Sequence, residues 1–149
     1  MKSYTELALE ILKEKGFRIT KPRQFVIELL DRAILPLSSY EIKDILAKDG
    51  QKIDTVSVYR ILECLEENKL IHRVLTNGKV KKCSLEPEDQ CRLPQSEHCH
   101  HLLICEYCQT IEEIHCPGTA MLVREVEKYS SFQIKSHNME FLGLCSKCA

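Results

Sequence analysis

Nowhere in this 149-residue chain do eighteen apolar residues follow one another, and its N-terminal MKSYTELALEILKEKG lacks an apolar core ending in a small-residue cleavage site. The first absence excludes an ordinary membrane-spanning helix and the second argues against a secretory leader. The expectation is a cytoplasmic protein without a membrane partner. Tryptophan is absent, Gly and Pro number only five each, and no internal repeat or low-complexity tract occurs. With 44% hydrophobic and 29% charged residues, the composition is that of a globular chain long enough for one ordinary domain or two small ones.

Net charge is also nearly absent, at −1, but the two halves differ. Residues 1–85 carry 16 Lys and Arg against 12 Asp and Glu, whereas residues 86–149 carry 5 against 10. A basic front and an acidic back suit a nucleic-acid-binding module joined to a metal or partner module. Cysteine, by contrast, is plentiful. Nine cysteines, an odd number, without a secretory leader point to metal ligation or redox chemistry rather than a disulfide framework.

Apolar residues Leu7, Leu9, Ile11 and Leu12 predict a helix over 4–15, ended by Gly16. Thr20 is placed to cap a second helix, with Pro22 in its first turn and Phe25, Val26, Leu29 and Leu30 on one face up to Arg32. Ser38 and Glu41 form a capping-box pattern ahead of a short third helix bearing Ile42, Ile45 and Leu46. A fourth starts at Asp54-Thr55, with Val58, Ile61, Leu62 and Leu65 inward and Ser57, Tyr59 and Arg60 outward. Asn77-Gly78, between two β-prone runs, predicts a hairpin with a two-residue turn. Helices followed by a two-stranded wing make a winged helix-turn-helix.

In that architecture the helix before the wing enters the major groove, where Arg60 reaches base edges and Tyr59 meets bases or phosphates, with Thr55 and Ser57 in the same first turn. Lys21, Arg23, Lys79, Lys81 and Lys82 are candidate phosphate contacts, which add affinity without sequence information. Residues 86–97, EPEDQCRLPQSE, hold two prolines and no apolar periodicity and form the expected linker. Beyond it, HLLIC and TIEEI predict two strands joined at Cys105-Glu-Tyr-Cys108, residues 119–130 a helix with Met121, Leu122, Val126 and Tyr129 apolar, and FQIKSHNMEFLGL a returning strand. The domains expected are therefore 1–85, a linker at 86–97, and a small αβ domain at 98–149, an α+β chain overall.

Cys105, Cys108, Cys145 and Cys148 form two Cys-x-x-Cys pairs, the spacing of a structural tetrahedral zinc site. A second site follows from the wing. A two-residue turn at 77–78 puts His72 directly opposite Cys83, with β-carbons about 5 Å apart. One of His98, His100 and His101, together with Glu112 or Glu113, could complete four ligands across the linker. Two imidazoles, a thiolate and a carboxylate suit Zn(II), although affinity order leaves copper and nickel open. Cys99, His101 and His137 are a weaker candidate for a further metal site.

The stretches RITKPRQFVIELL, DTVSVYRILECLEENKLIH, HLLICEYCQTIEEI and SHNMEFLGLCSKC resemble the Fur family of metal-responsive repressors over nearly the whole chain, and within it the zinc uptake regulators. The resemblance implies a homodimer that binds inverted-repeat operators in double-stranded DNA, and two zinc ions per subunit. One is structural, at the four cysteines. The other is regulatory, at His72, Cys83, His98 and Glu113. Iron- and peroxide-sensing relatives carry histidines three and five residues before the first knuckle cysteine. Here those positions are Leu102 and His100. Gln109 stands where a glycine is usual. Two alternatives stand beside a zinc repressor: an iron, nickel or peroxide sensor on the same fold, and a zinc enzyme using His98, Glu113 and Glu112. The enzyme reading needs an open coordination position that four protein ligands deny.

Overall fold

Side-chain caps begin each of the first four helices. In α1 (Tyr4–Glu14), Ser3 and Glu6 form a reciprocal capping box, with Ser3 N–H donating to Glu6 at 2.8 Å. In α2 (Lys21–Arg32), Thr20 accepts from Arg23 N–H, and Pro22 sits in the first turn, where its missing N–H costs nothing. In α3 (Ser39–Lys48), Ser38 and Glu41 form the second capping box, and in α4 (Thr55–Glu67) Asp54 accepts from Ser57 N–H at 2.9 Å. Each cap satisfies an amide that the helix cannot satisfy internally. The computed structural model describes residues 2–84, 100–115, 120–135 and 137–149. The chain divides into two units, Met1–Ser84 and Leu85–Ala149.

The first unit buries one apolar cluster. Ala8 and Leu12 of α1 meet Val26, Ile27 and Leu30 of α2, Ile42 of α3, and Val58, Leu62 and Leu65 of α4. Truncating one of these leucines to Ala costs about 2–5 kcal/mol. The wing consists of β1 (Ile71–Arg73) and β2 (Val80–Lys82), antiparallel, with Leu37 bridging to Val80 through backbone bonds of 2.9 and 2.8 Å. Leu70, Ile71 and Val80 plug the wing into the helical core.

The wing departs from the expected register. His72 faces Lys81, and Ile71 faces Lys82, so the strands are offset by two residues from a turn at Asn77-Gly78. Val74 N–H donates to Lys79 O and Gly78 N–H to Val74 O, closing a four-residue loop over 75–78. Asn77 Oδ1 accepts from Lys79 N–H inside it, and Gly78 takes a φ of 70°. The side-chain bond of Asn77 thus stabilises a wider loop than the tight hairpin turn its Asn-Gly pair favours.

In the second unit, β3 (His100–Cys105) is the centre of a three-stranded sheet, antiparallel to β4 (Ile111–His115) and parallel to β5 (Glu140–Gly143). The connection from β4 to β5 passes through α5 (Ala120–Lys128). The returning strand is shorter than the apolar run predicts, because only Glu140–Gly143 pair with β3. The helix forms within the expected span, over Ala120–Lys128. Val123 is buried, whereas Met121, Leu122 and Val126 are exposed within the chain, as is Tyr129 just past the helix, at 88%.

Candidate metal centres and nucleic-acid surface

The sheet assembles the four-cysteine cluster. Cys105 ends β3, its N–H donating to Thr110 O at 3.0 Å, while Gln109 N–H returns to Cys105 O at 2.9 Å and closes the Cys105–Cys108 knuckle. Parallel pairing sets Gly143 beside Cys105, and Glu106 N–H donates to Gly143 O at 2.9 Å. Two residues on, Cys145 N–H points at Cys105 Sγ, 3.4 Å away. Cys148 N–H and Ala149 N–H both bond Cys145 O at 2.9 Å, folding the second pair into a matching turn.

All four sulfurs lie within 4.8 Å of one another, and Cys108 and Cys145 are 3.7 Å apart. A tetrahedron of thiolates about 2.3 Å from zinc has edges of roughly 3.8 Å, so the donor set fits that ion in type and size. Backbone N–H groups of Cys108 and Cys145 aim at Cys105 and hold its thiol down to about 6. Hydrogen bonds with Thr110 lower Cys108. Cys148 is pushed up to about 12, first by its hydrogen bond to Cys145 and then by burial. A cation is what permits four thiolates to share this space. Gln109 carries the turn at a φ of 61°, the left-handed region that favours the glycine it replaces.

The wing brings His72 and Cys83 together. Lys81 opposes His72, so Cys83 is its diagonal neighbour, two residues further along and therefore on the same face. Their ligating atoms are within 4.8 Å. Glu113 lies half-buried on β4, opposite Leu102, and Glu112 is exposed beside it. His98 and Cys99 lie outside the described residues, as do Cys91 and Cys116. Of the weaker candidate trio, His101 is fully buried with its ring 5.1 Å from that of His137. Burial first, and then the neighbouring imidazole, hold His101 below its usual range.

The outward face of α4 presents Tyr59 and Arg60, both exposed, while Val58, Ile61, Leu62 and Leu65 face the core. Ser57 Oγ donates to Asp54 at 2.5 Å and reinforces the helix start, and Thr55 is half-buried beside it. Val56, to which the sequence pattern gives no role, is 60% exposed and sits one turn before Tyr59 and Arg60 on the same face. A valine turned to solvent is the signal that marks it, and only the fold shows which way it turns.

The cations expected at phosphates divide. Lys21 is exposed at the first turn of α2. Arg23 instead donates to Arg18 O and lies 5.7 Å from the Phe17 ring. Lys79 pairs with Glu41 at 2.9 Å and Lys82 with Asp31 at 2.6 Å. These three ammonium and guanidinium groups have intramolecular work that a reading of charge alone does not reveal.

Residues 14–142 match the model of the ferric uptake regulator family. The peroxide operon regulator of Bacillus subtilis is 28% identical over 142 residues, covering 95% of this chain and 91% of that protein. Among solved structures, holo XcZur is 25% identical, with 97% of this chain and 96% of that one covered and a TM-score of 0.79. A zinc uptake regulator complexed with zinc and DNA gives a TM-score of 0.81 at 23% identity, with 99% and 95% covered.

Proposed function

Because this chain belongs to the ferric uptake regulator family, we propose that it is a zinc-responsive transcriptional repressor that binds operator DNA as a homodimer and represses zinc-uptake genes. The observation that carries this reading is the pairing of the His72 imidazole and the Cys83 thiol on one face of the wing. A thiolate beside an imidazole is a softer donor set than iron(II) or manganese(II) sensors employ, and it suits Zn(II). His98 and Glu113 complete the regulatory set. Cys105, Cys108, Cys145 and Cys148 hold a second, structural zinc, giving two ions per subunit. The working domains are residues 1–85 for DNA and 98–149 for dimerisation, with 86–97 between them.

When bound, zinc supplies a four-coordinate cross-link between ligands from both domains. The residues of the first unit do the rest. Arg60 and Tyr59 present donors to base edges, Val56 offers an apolar contact of the kind a thymine methyl accepts, and Lys21 meets phosphate at a helix N-terminus. Ligand binding shifts the chain toward its DNA-binding form only by binding that form more tightly, and DNA must tighten zinc by the same factor. The exposed apolar side chains Met121, Leu122 and Val126 of α5, with Tyr129, Phe132, Phe141 and Leu142 beyond it, are the groups that a second copy of the chain would cover. Inverted-repeat operators follow from such two-fold symmetry.

A peroxide or iron sensor is the second reading, favoured by the sequence relative named a peroxide operon regulator. Against it stands Leu102, which is 2% exposed in the β3 core at the position where those sensors carry a histidine. The deciding experiment is operator binding titrated against buffered free zinc, for the wild type and Cys83→Ser. The substitution is expected to abolish zinc-dependent binding. Retained zinc dependence, or specific binding supported by Fe(II) and not Zn(II), would overturn the proposal.

A further inference from the structure

Cys83 lies just past β2, beyond the last residue pair of a two-stranded ladder three residues long. So short a ladder fixes little by itself, yet a zinc ligand must be placed within about 0.2 Å of its bond length. Beyond the ladder's last pair, the carbonyl of Leu70 anchors the Cys83 backbone by accepting its N–H at 2.9 Å. The same carbonyl accepts the Tyr4 hydroxyl, also at 2.9 Å, from the first turn of α1.

The adjacent residue is tied to the same place. Lys82 Nζ bonds Asp31 Oδ1 and Asp31 O, each at 2.6 Å, and sits 5.6 Å from the centre of the Tyr4 ring. Asp31 in turn accepts from Thr5 N–H at 3.2 Å and from Thr5 Oγ at 2.8 Å. Burial alone would raise Asp31, but the bonds from Lys82 and Thr5 outweigh it and hold the carboxyl ionised. The first turn of α1 therefore clasps both Lys82 and the backbone partner of Cys83.

We propose that Tyr4 and Lys82 are positioning residues for the regulatory metal site, presetting the Cys83 thiolate toward His72 so that little reorganisation accompanies zinc binding. The proposal rests on the reading of His72 and Cys83 as ligands. Groups that orient a metal ligand without touching the metal typically change affinity by about tenfold or more when removed.

The test uses full-length protein with the four-cysteine site filled with zinc, and reads binding of a further equivalent of Zn(II) against a chelator. Co(II) binding at the same site reports the thiolate-to-metal charge-transfer band. Tyr4→Phe, which removes only the hydroxyl, and Lys82→Met, which keeps most of the stem, are each expected to weaken this zinc roughly tenfold and to diminish the cobalt–thiolate band. Lys82→Arg, which retains a cation for Asp31, is expected to recover most of the loss. If Cys83→Ser weakens the site while Tyr4→Phe and Lys82→Met bind as the wild type does, the positioning role is overturned. If Cys83→Ser itself binds like the wild type, the underlying ligand assignment fails instead.

Discussion

His72 and Cys83 share a face of the wing although they do not oppose each other. His72 pairs with Lys81, and Cys83 is displaced from it by two residues. A strand alternates faces with a period of two, so an even slip leaves every side chain on its original face, whereas a slip of one would have sent Cys83 to the other side. The pair survives the longer turn for that reason.

Removing one sulfur from the four-cysteine cluster should lower the bound zinc by one equivalent per chain. Cys148→Ala leaves three thiolates that hold the ion poorly, and the C-terminal turn then loses the metal's tie to the Cys105–Cys108 knuckle. Since structural zinc contributes its binding free energy to folding, the thermal transition should fall and broaden. Metal analysis with calorimetry checks both, and an unchanged zinc content would refute the assignment.

Base contacts and phosphate contacts should separate by their salt behaviour. Arg60→Ala is expected to cost about 1–3 kcal/mol on the operator and little on random duplex. Lys21→Ala should weaken both alike and reduce the salt slope by about 1. Fluorescence anisotropy over a salt series measures these slopes. An operator-selective loss for Lys21→Ala, or a uniform one for Arg60→Ala, would reverse the roles.

The Asp31 junction predicts an acid-labile wing. Its carboxyl sits below its ordinary 3.8 in the folded chain. Stability from ionised Asp31 is therefore complete above that unfolded value and disappears as pH falls through the lower folded one. Urea midpoints measured from about pH 6 to about pH 3 should decline less steeply for Asp31→Asn than for the wild type. Parallel curves would show that Asp31 contributes nothing to acid sensitivity.

Gln109 offers a backbone test. At a φ of 61° a β-branched residue is more strained than glutamine. Gln109→Val should destabilise the zinc-loaded protein by about 1–2 kcal/mol. Gln109→Gly removes the strain but also the bond from Gln109 Nε2 to Glu106 O, so its effect should be smaller than that of valine. Denaturant unfolding ranks the three proteins, and valine equal to glutamine would place the turn outside the strained region.

Caps, apolar spacing and cysteine spacing act through neighbours a few residues apart. For that reason the sequence by itself determined where the helices capped by Thr20, Ser38 and Asp54 begin. It also determined that Cys105, Cys108, Cys145 and Cys148 belong together, because a two-residue spacer has few uses. The tertiary structure decided what depends on distant partners. A four-residue loop replaced the tight turn at Asn77-Gly78, and Lys79 and Lys82 found partners 38 and 51 residues away. Met121, Leu122 and Val126 of α5 stayed exposed within the chain. Tyr4 and Cys83 converge on one carbonyl only because α1 packs beside the wing, a relation fixed by the folded core and invisible to local spacing.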